Sequence, residues 1–226
     1  MRTLAARAEV RGPIPTAPFF LVSNHLGYVD VLVLASVLDC VFVSKADVAR
    51  WPVLGPLVGL VGTVFIDREA KRDIPRVLAS IEENLTHGRG IVVFPEGTSS
   101  KGATVLPFRP PLLEVAARAR MPVSCVTLTY RTEPGNPPAH LAVCWWGGMG
   151  FATHLLALFR VSGFVATVTF GEDRIVESDR KDLASRAREA VLARFEPVTE
   201  PNRYNDRPAP SDDLASNDRL AHRESP

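Results

Sequence analysis

The sequence predicts a single α/β domain in which helices flank a central, mostly parallel sheet of about six or seven strands. Short apolar runs rich in β-branched and aromatic residues alternate along the chain with stretches whose apolar residues recur at helical spacing. The length of 226 residues and the hydrophobic share of 46% suffice for one domain with a sizeable core. The runs that predict strands are residues 18–22, 41–44, 63–66, 91–94, 122–130, 141–146 and 164–170.

The segments of helical spacing lie between and after these runs, and Val10 belongs to a weaker edge strand before them. The predicted helices are residues 28–38, 47–60, 74–87, 112–120, 151–160 and 182–195. Trp51, in the second of them, is a side chain of the type that anchors proteins at a membrane interface. Beyond Pro197 no apolar period continues. Residues 1–196 are therefore predicted to form the domain and residues 197–226 a disordered tail.

Charge and cysteine content narrow the classes of function. The net charge is +1, and the tail from Pro197 onward holds six acidic and four basic residues, which leaves +3 on residues 1–196. This excess is too small to indicate a nucleic-acid partner, but it suits a mildly attractive anionic lipid surface. Cys40, Cys125 and Cys144 lie inside apolar runs without metal-ligand spacing. They predict reduced, buried thiols and a cytoplasmic location.

Two uncharged stretches bear on membrane attachment. Residues 141–159 approach the length of ~18 residues that a spanning helix needs, but glycines at 147, 148 and 150 interrupt them. Residues 53–66 are shorter and contain several glycines and a proline, and residues 1–7 lack the apolar core of a secretory signal. The sequence therefore predicts no spanning helix and a peripheral, reversible contact with the inner face of the membrane.

The first strand leads into the stretch Asn24–Asp30, which pairs a histidine with a carboxylate. On one continuous helix His25 and Asp30 would point apart, so they meet only if His25 lies in a turn and Asp30 in the first turn of the helix. Gly27 eases such a bend. A carboxylate behind an imidazole fixes its tautomer and stabilises the imidazolium formed when the histidine takes a proton from a hydroxyl. The alternative is a surface histidine beside a helix-capping aspartate.

Four blocks together carry a family resemblance. Asn24–Asp30, Gly62–Arg68, Phe94–Thr98 and Met121–Val123 occur in the order and spacing of the glycerolipid acyltransferase family, the group that includes 1-acylglycerol-3-phosphate acyltransferase. The chain resembles this family over roughly residues 10–195. Many members carry an N-terminal anchor, and this chain starts too late to have one, so we expect either peripheral docking or a short form.

The resemblance implies an activity and its catalytic pair. An acyl group would move from a thioester, acyl-CoA or acyl carrier protein, to the free hydroxyl of a lysolipid. His25 would be the general base and Asp30 would orient it. Because the thioester is already activated, the reaction needs no covalent enzyme intermediate, no metal and no further cofactor.

The other blocks supply candidate substrate-binding residues. Arg68 follows a strand and presents a fork of donors suited to phosphate; the alternative is a surface ion pair. Glu96, Gly97 and Thr98 form a turn whose exposed backbone N–H groups could hold an anionic oxygen. In the family, the glutamate of this block orients the acceptor or braces the loop.

The sequence departs from the family pattern at two places. Phospholipid-making members usually carry arginine where this chain has Ser99, and the glycine expected after Phe108-Arg109 is replaced by proline. Lys101 or Arg109 would then supply the missing cation. The serine-rich loop resembles the lyso-ornithine lipid acyltransferase branch. Arg68 favours lysophosphatidate as the acceptor, and lyso-ornithine lipid is the alternative.

Other functional classes have characteristic motifs. The Gly-x-Ser-x-Gly elbow of serine hydrolases and the glycine-rich phosphate loops of nucleotide-binding proteins do not occur in the sequence. A non-catalytic lipid-binding protein on the same fold is the remaining alternative. The His25–Asp30 pair favours the enzyme, because binding alone has no chemical need for it.

Overall fold

The computed structural model describes residues 5–45, 55, 59, 62–66 and 74–199, and these form one seven-stranded sheet in the order β1-β7-β6-β2-β5-β3-β4. Strands β2 to β6 run parallel to one another, whereas β7 is antiparallel to β6, and β1 pairs parallel with β7. The predicted mostly parallel α/β sheet is confirmed. The strands are β1 (Ala5–Arg11), β2 (Phe20–Ser23), β3 (Cys40–Lys45), β4 (Thr63–Ile66), β5 (Gly90–Val93), β6 (Val123–Thr132) and β7 (Gly163–Ile175).

Helices cover both faces of the sheet, as the sequence predicts. Consecutive strand residues point to opposite faces, so Leu21 of β2 joins one core cluster while Phe20 and Val22 join the other. Helices α1, α4 and α5 pack on the first face, and α2, α3 and α6 on the second. The helices are α1 (Val29–Val37), α2 (Ile74–Thr86), α3 (Glu114–Arg118, after a 3₁₀ turn over Pro110–Leu113), α4 (Ala139–Ala142), α5 (Phe151–Arg160) and α6 (Arg180–Leu192).

Local signals in the sequence explain where α6 begins. The carboxylate of Asp179 accepts hydrogen bonds from the N–H groups of Lys181 and Asp182, and so satisfies donors that the first turn leaves free. The helix starts two residues before the predicted 182, because the apolar period shows only the buried side. That side contains Leu183, Ala184, Ala187 and Val191.

The prediction of a strand over residues 141–146 is wrong. Residues Ala139–Ala142 form the short helix α4, and no strand follows before α5. Pro138 caps this helix, a position where a missing N–H costs nothing. Val143 and Cys144 are apolar because they lie fully buried in the core, and a short apolar run cannot by itself distinguish that placement from a strand. The two edges of β7, where a further strand could pair, are taken by β6 and β1.

Some predictions fall partly or wholly outside the described residues. Of the predicted helix 47–60 only Gly55 and Gly59 are described, and both are helical; Trp51 lies outside. Residues 200–226 of the predicted tail also lie outside. The segment after α6 still contacts the body at Val198, whose N–H donates to the Gly102 carbonyl at 2.7 Å. No helix in the described part of the chain is both long and apolar enough to cross a bilayer.

The topology determines where the site lies. Because β2 and β5 are parallel neighbours, their carboxyl ends lie side by side. The residues that follow them, His25 and Glu96, are thereby brought together at one edge of the sheet, where open parallel sheets gather their ligands.

Candidate active site

His25 and Asp30 are in direct contact. His25 lies in the turn between β2 and α1, and Asp30 is the second residue of α1. Its Oδ2 atom is 2.8 Å from Nδ1 of His25. The bend that the sequence requires for this contact occurs at Gly27, whose φ is +156°. A Cβ at this position would lie 2.8 Å from the backbone nitrogen of Trp145, so only glycine fits.

Asp30 is completely buried and surrounded by donors. Its Oδ2 also accepts hydrogen bonds from the N–H groups of Leu26 at 2.6 Å and Gly27 at 3.0 Å. Its Oδ1 accepts a hydrogen bond from the Tyr130 hydroxyl at 2.6 Å. These groups can all donate, which suits an ionised carboxylate that has left water. The carboxylate thus shapes the turn as well as facing the imidazole.

The imidazole of His25 is held on its Asp30 side and on one face. Its ring stacks on Phe94 with centroids 4.3 Å apart, and Phe94 stacks in turn on Phe42. The side chain is 22% exposed. With the Nδ1–H donated to Asp30, the lone pair of the neutral ring lies on Nε2. This nitrogen is the basic site that remains for a substrate hydroxyl.

Asn24 fixes the end of β2 to β6. Its amide donates to the Leu128 carbonyl at 2.9 Å and accepts from the Leu128 N–H at 2.8 Å. A side-chain amide reproduces the two groups of a peptide bond, so Asn24 replaces the backbone ladder at the point where the chain leaves the sheet.

Glu96 braces the backbone of His25 from within the domain. Its Oε1 accepts the His25 N–H at 3.2 Å, and the residue is 2% exposed. Burial raises the pKa of Glu96 well above its ordinary value, and the charge of Asp30 adds to this; the N–H groups of His25 and Leu106 oppose it. Oε2 is buried without a hydrogen-bond partner. Of the two roles that the family resemblance implies, the geometry supports bracing the loop.

Comparison with known proteins identifies the family of this chain. The family model described as Acyltransferase matches residues 7–130, a range that contains His25, Asp30 and Glu96. This chain belongs to the acyltransferase family.

Its relatives include enzymes with two different acceptors in their names. The chain is 36% identical over 194 residues to the lyso-ornithine lipid O-acyltransferase of Rhizobium meliloti, a match that covers 80% of this chain and 66% of that protein. It is 30% identical over 189 residues to the 1-acyl-sn-glycerol-3-phosphate acyltransferase of Neisseria gonorrhoeae, with coverages of 82% and 73%. The chain thus spans about two thirds to three quarters of the length of these relatives.

A solved structure has the same fold. The 1-acyl-sn-glycerophosphate acyltransferase PlsC from Thermotoga maritima matches with a TM-score of 0.53 and 19% identity, over 84% of this chain and 74% of that one. At this identity the match shows the fold alone. The family and fold predicted from the four sequence blocks are therefore confirmed.

In this acyltransferase, two backbone N–H groups of the loop after β5 donate hydrogen bonds within the protein. Gly97, with φ +72°, donates its N–H to the Phe94 carbonyl at 3.1 Å. Ser100 donates its N–H to the His25 carbonyl at 3.0 Å. The Gly97 N–H is therefore already bound within the turn. The half-buried Thr98 and Ser99 lie between these two anchored residues, and their N–H groups are the candidates.

The predicted cationic residues are placed differently from one another. Arg68 lies outside the described residues. Lys101 is half-buried and near His140 of α4: burial lowers the pKa of His140, and the Lys101 charge lowers it further. Arg109 is exposed, with its N–H bound to the Pro95 carbonyl at 2.8 Å. Both residues follow the loop after β5 in the chain, and the Arg109 backbone is bound to the start of that loop at Pro95.

Three contributors to the site were missed in the sequence. Asn24 belongs to the first sequence block, and an amide at a strand end signals a polar anchor. Tyr130 is the one polar ring late in the run 122–130, but its distance of 100 residues from Asp30 hides their contact. Trp145 contacts the turn through its backbone N–H, which donates to Leu26 at 2.8 Å and leaves no trace in residue type.

Proposed function

We propose that this chain transfers an acyl group from a thioester donor, acyl-CoA or acyl carrier protein, to the free hydroxyl of a lysolipid. The observation that carries this proposal is the buried, donor-saturated Asp30 held 2.8 Å from Nδ1 of His25. Removing a carboxylate from water costs free energy, and a protein that only binds lipid gains nothing from doing so. A general base gains a fixed tautomer and a stabilised imidazolium.

The proposed reaction proceeds in two steps. Nε2 of His25 takes the proton of the acceptor hydroxyl while the oxygen attacks the thioester carbonyl, giving a tetrahedral oxyanion and an imidazolium paired with Asp30. The intermediate then collapses with cleavage of the carbon–sulfur bond. The departing thiolate takes the proton back from Nε2, so the enzyme returns to its starting state.

The oxyanion requires donors close to His25. The Thr98 and Ser99 N–H groups are the proposed donors, because Ser100 anchors this loop to the His25 carbonyl at 3.0 Å. A backbone donor of this kind contributes about 3 kcal/mol to transition-state stability in comparable sites. Glu96, which accepts the His25 N–H, would hold the loop and His25 in position relative to each other.

We place lyso-ornithine lipid first among the acceptors and lysophosphatidate second. Ser99 removes an arginine that would contact phosphate, and the relative with 36% identity is named for lyso-ornithine lipid. Lysophosphatidate remains a candidate because Arg68 follows β4, and because the 30% identical Neisseria relative is named for it.

An acceptor panel tests the function. Purified protein would be given acyl-CoA or acyl carrier protein thioester with lyso-ornithine lipid or with lysophosphatidate, and the products identified by mass spectrometry. We expect acylated product and stoichiometric free thiol with lyso-ornithine lipid. Binding of lysolipids without thiol release in any combination would instead support the non-catalytic lipid-binding alternative.

A lysolipid acceptor resides in a membrane, so we expect one surface of the protein to contact the bilayer. Helix α5 turns apolar side chains outward: Leu156 is 57% and Phe159 60% exposed. Residues 134–171 contain no acidic side chain, and Arg160 ends the helix. A face without carboxylates is not repelled by an anionic leaflet, so peripheral contact with the inner face of the membrane through α5 is part of the proposal.

Vesicle flotation tests this surface. The wild-type protein should float with phosphatidylglycerol-containing vesicles at low salt and less at high salt. The double variant Leu156→Glu/Phe159→Glu should not float. Leu192→Glu, a matched change at a 38% exposed leucine on α6 at the other face, should float like wild type. Equal flotation of all three proteins would contradict this role of α5.

A further inference from the structure

The turn that holds His25 and Asp30 packs against residues 144–154 through Leu26, Gly27 and Tyr28. The Leu26 carbonyl accepts the Trp145 N–H at 2.8 Å, and Gly27 lies too close to the Trp145 backbone to carry a side chain. The Tyr28 hydroxyl is 3.0 Å from Nδ1 of His154 in α5. The two backbone contacts do not depend on residue type at 145, whereas the third is made by side chains that can be varied.

The Tyr28–His154 pair is buried and closely packed. Tyr28 is 5% and His154 4% exposed. Their rings meet edge to face at 88°, with centroids 5.6 Å apart. The Tyr28 ring also packs against the rings of Phe151 and Trp145, with centroid distances of 5.2 Å and 6.1 Å. Tyr28 is at the N-cap position of α1, two residues before Asp30, so the two residues share the first turn of this helix.

The polarity of this hydrogen bond follows from counting groups. Nε2 of His154 is buried and has no hydrogen-bond partner of good geometry, although the Cys144 backbone lies close to the ring and favours an N–H there. If Tyr28 donates to Nδ1, the Nε2–H is therefore the one group without a well-aligned partner. If Nδ1–H donated to Tyr28, both the tyrosine hydroxyl hydrogen and the Nε2 lone pair would be unsatisfied. The first arrangement costs less, so Tyr28 is the donor.

The surroundings of both groups keep them neutral. Burial raises the pKa of Tyr28 to about 12. Burial lowers the pKa of His154, and the nearby Cys144 backbone opposes this only in part. A neutral tyrosine donating to a neutral imidazole is therefore the state of the pair near pH 7.

We propose that His154 is a positioning residue for the His25–Asp30 pair, acting through Tyr28. The hydrogen bond fixes the N-terminal end of α1 against α5, and with it the place of the Asp30 carboxylate beside His25. Asp30 also accepts a hydrogen bond from the Tyr130 hydroxyl of β6, so its position depends on that bond directly and on the Tyr28–His154 bond through the start of α1. The kinetic part of this inference rests on the proposed acyl transfer.

The test removes the bond from each side. Tyr28→Phe and His154→Phe keep the rings and delete one partner; His154→Asn returns an acceptor oxygen near the place of Nδ1. Each phenylalanine variant should lower kcat about tenfold with little change in acceptor KM. The double variant should lose no more than either single one, because the bond can be lost only once. His154→Asn should recover part of the rate.

A matched control and a second readout separate positioning from general instability. His87→Phe makes the same change at an exposed histidine whose Nδ1 is bound to the Glu83 carbonyl on α2, and it should leave kcat unchanged. The ring signals of His25 in NMR spectra should move in Tyr28→Phe and in His154→Phe but not in His87→Phe. This readout needs no substrate, so it decides the inference even if the chain transfers no acyl group.

Two outcomes would overturn the inference. One is that folded Tyr28→Phe and His154→Phe leave the His25 ring signals where they are in the wild-type protein. The other is that the two variants lower the melting temperature or raise acceptor KM while kcat stays at the wild-type value, since the pair would then serve folding or binding alone.

Discussion

At the scale of single residues, Glu96 is a carboxyl group enclosed in the domain beside an ionised one. The His25 N–H bound to Oε1 compensates only part of the cost of burial, so the pKa of Glu96 is raised in the folded state. The unfolded chain then releases this proton at lower pH than the folded protein does. The free energy of unfolding therefore decreases as the pH rises from the ordinary glutamate pKa of 4.5 toward the raised pKa of Glu96.

Glu96→Gln should remove this pH dependence while keeping an acceptor for the His25 N–H. We expect the free energy of unfolding of the variant, relative to wild type, to rise as the pH increases from 4.5 to neutral. Urea unfolding across this range measures it. A difference that stays constant with pH would contradict a protonated, buried Glu96.

Glu114→Gln supplies a control of opposite sign. A hydrogen bond from Arg180 lowers the pKa of Glu114, so its contribution is present above the ordinary value and is lost as the pH falls. As the pH rises toward 4.5, the free energy of unfolding of this variant should fall relative to that of the wild-type protein.

At the scale of elements, the turn between β2 and α1 is held by a side chain on each side. Asn24 replaces the backbone ladder toward Leu128 of β6, and Asp30 accepts the N–H groups of Leu26 and Gly27. The strand end and the helix start are thus fixed independently. His25 lies between two rigid elements, as a general base requires.

Asn24→Ala should destabilise the protein by about 2–4 kcal/mol, because it leaves the buried N–H and C=O of Leu128 without partners. Denaturant unfolding measures the loss. Asn136→Ala is the matched control at a half-buried loop position, where water can replace the amide's bonds to Glu133 and Ser162. Equal losses in the two variants would show that Asn24 has no special role at the strand end.

Elements with a strong local signal were predictable, and contacts between distant residues were not. The strand before His25 and the turn at Gly27 follow from apolar runs and from the bend that a His25–Asp30 contact requires. The strand predicted over 141–146 failed because Val143 and Cys144 are apolar for burial and not for pairing. The Tyr130–Asp30 and Tyr28–His154 bonds join residues 100 and 126 positions apart, so they depend on sheet order, which no local pattern encodes.

At the scale of the whole molecule, the segment after α6 returns across the sheet to the catalytic edge. Val198 donates its N–H to the Gly102 carbonyl, and its side chain packs on the core beside Leu26 and Gly102. Gly102 has φ +76°, and a Cβ there would meet Val198 at 2.8 Å. The residues that follow the predicted domain boundary at 196 thus support the loop that flanks His25.

Two truncations test this contact. A chain ending at Thr199 should keep the stability and activity of the full chain, whereas one ending at Pro197 should lose about 1–2 kcal/mol, from one half-buried valine and one hydrogen bond. Thermal unfolding and acyl transfer of both chains measure the effect. If the chain ending at Thr199 is impaired as much as the shorter one, residues beyond 199 contribute and Val198 is not the decisive contact.

The central claim is that His25, held by Asp30, is the general base of acyl transfer. It is tested most directly by the thiol-release rate of purified His25→Ala with the acceptor that the wild-type protein uses, after circular dichroism has shown that the variant is folded. His25 is half-buried at a strand end and outside the core, so the fold should persist. We predict a rate about 10²–10⁴-fold below wild type. A folded His25→Ala protein that retains more than a few per cent of the wild-type rate would contradict the claim.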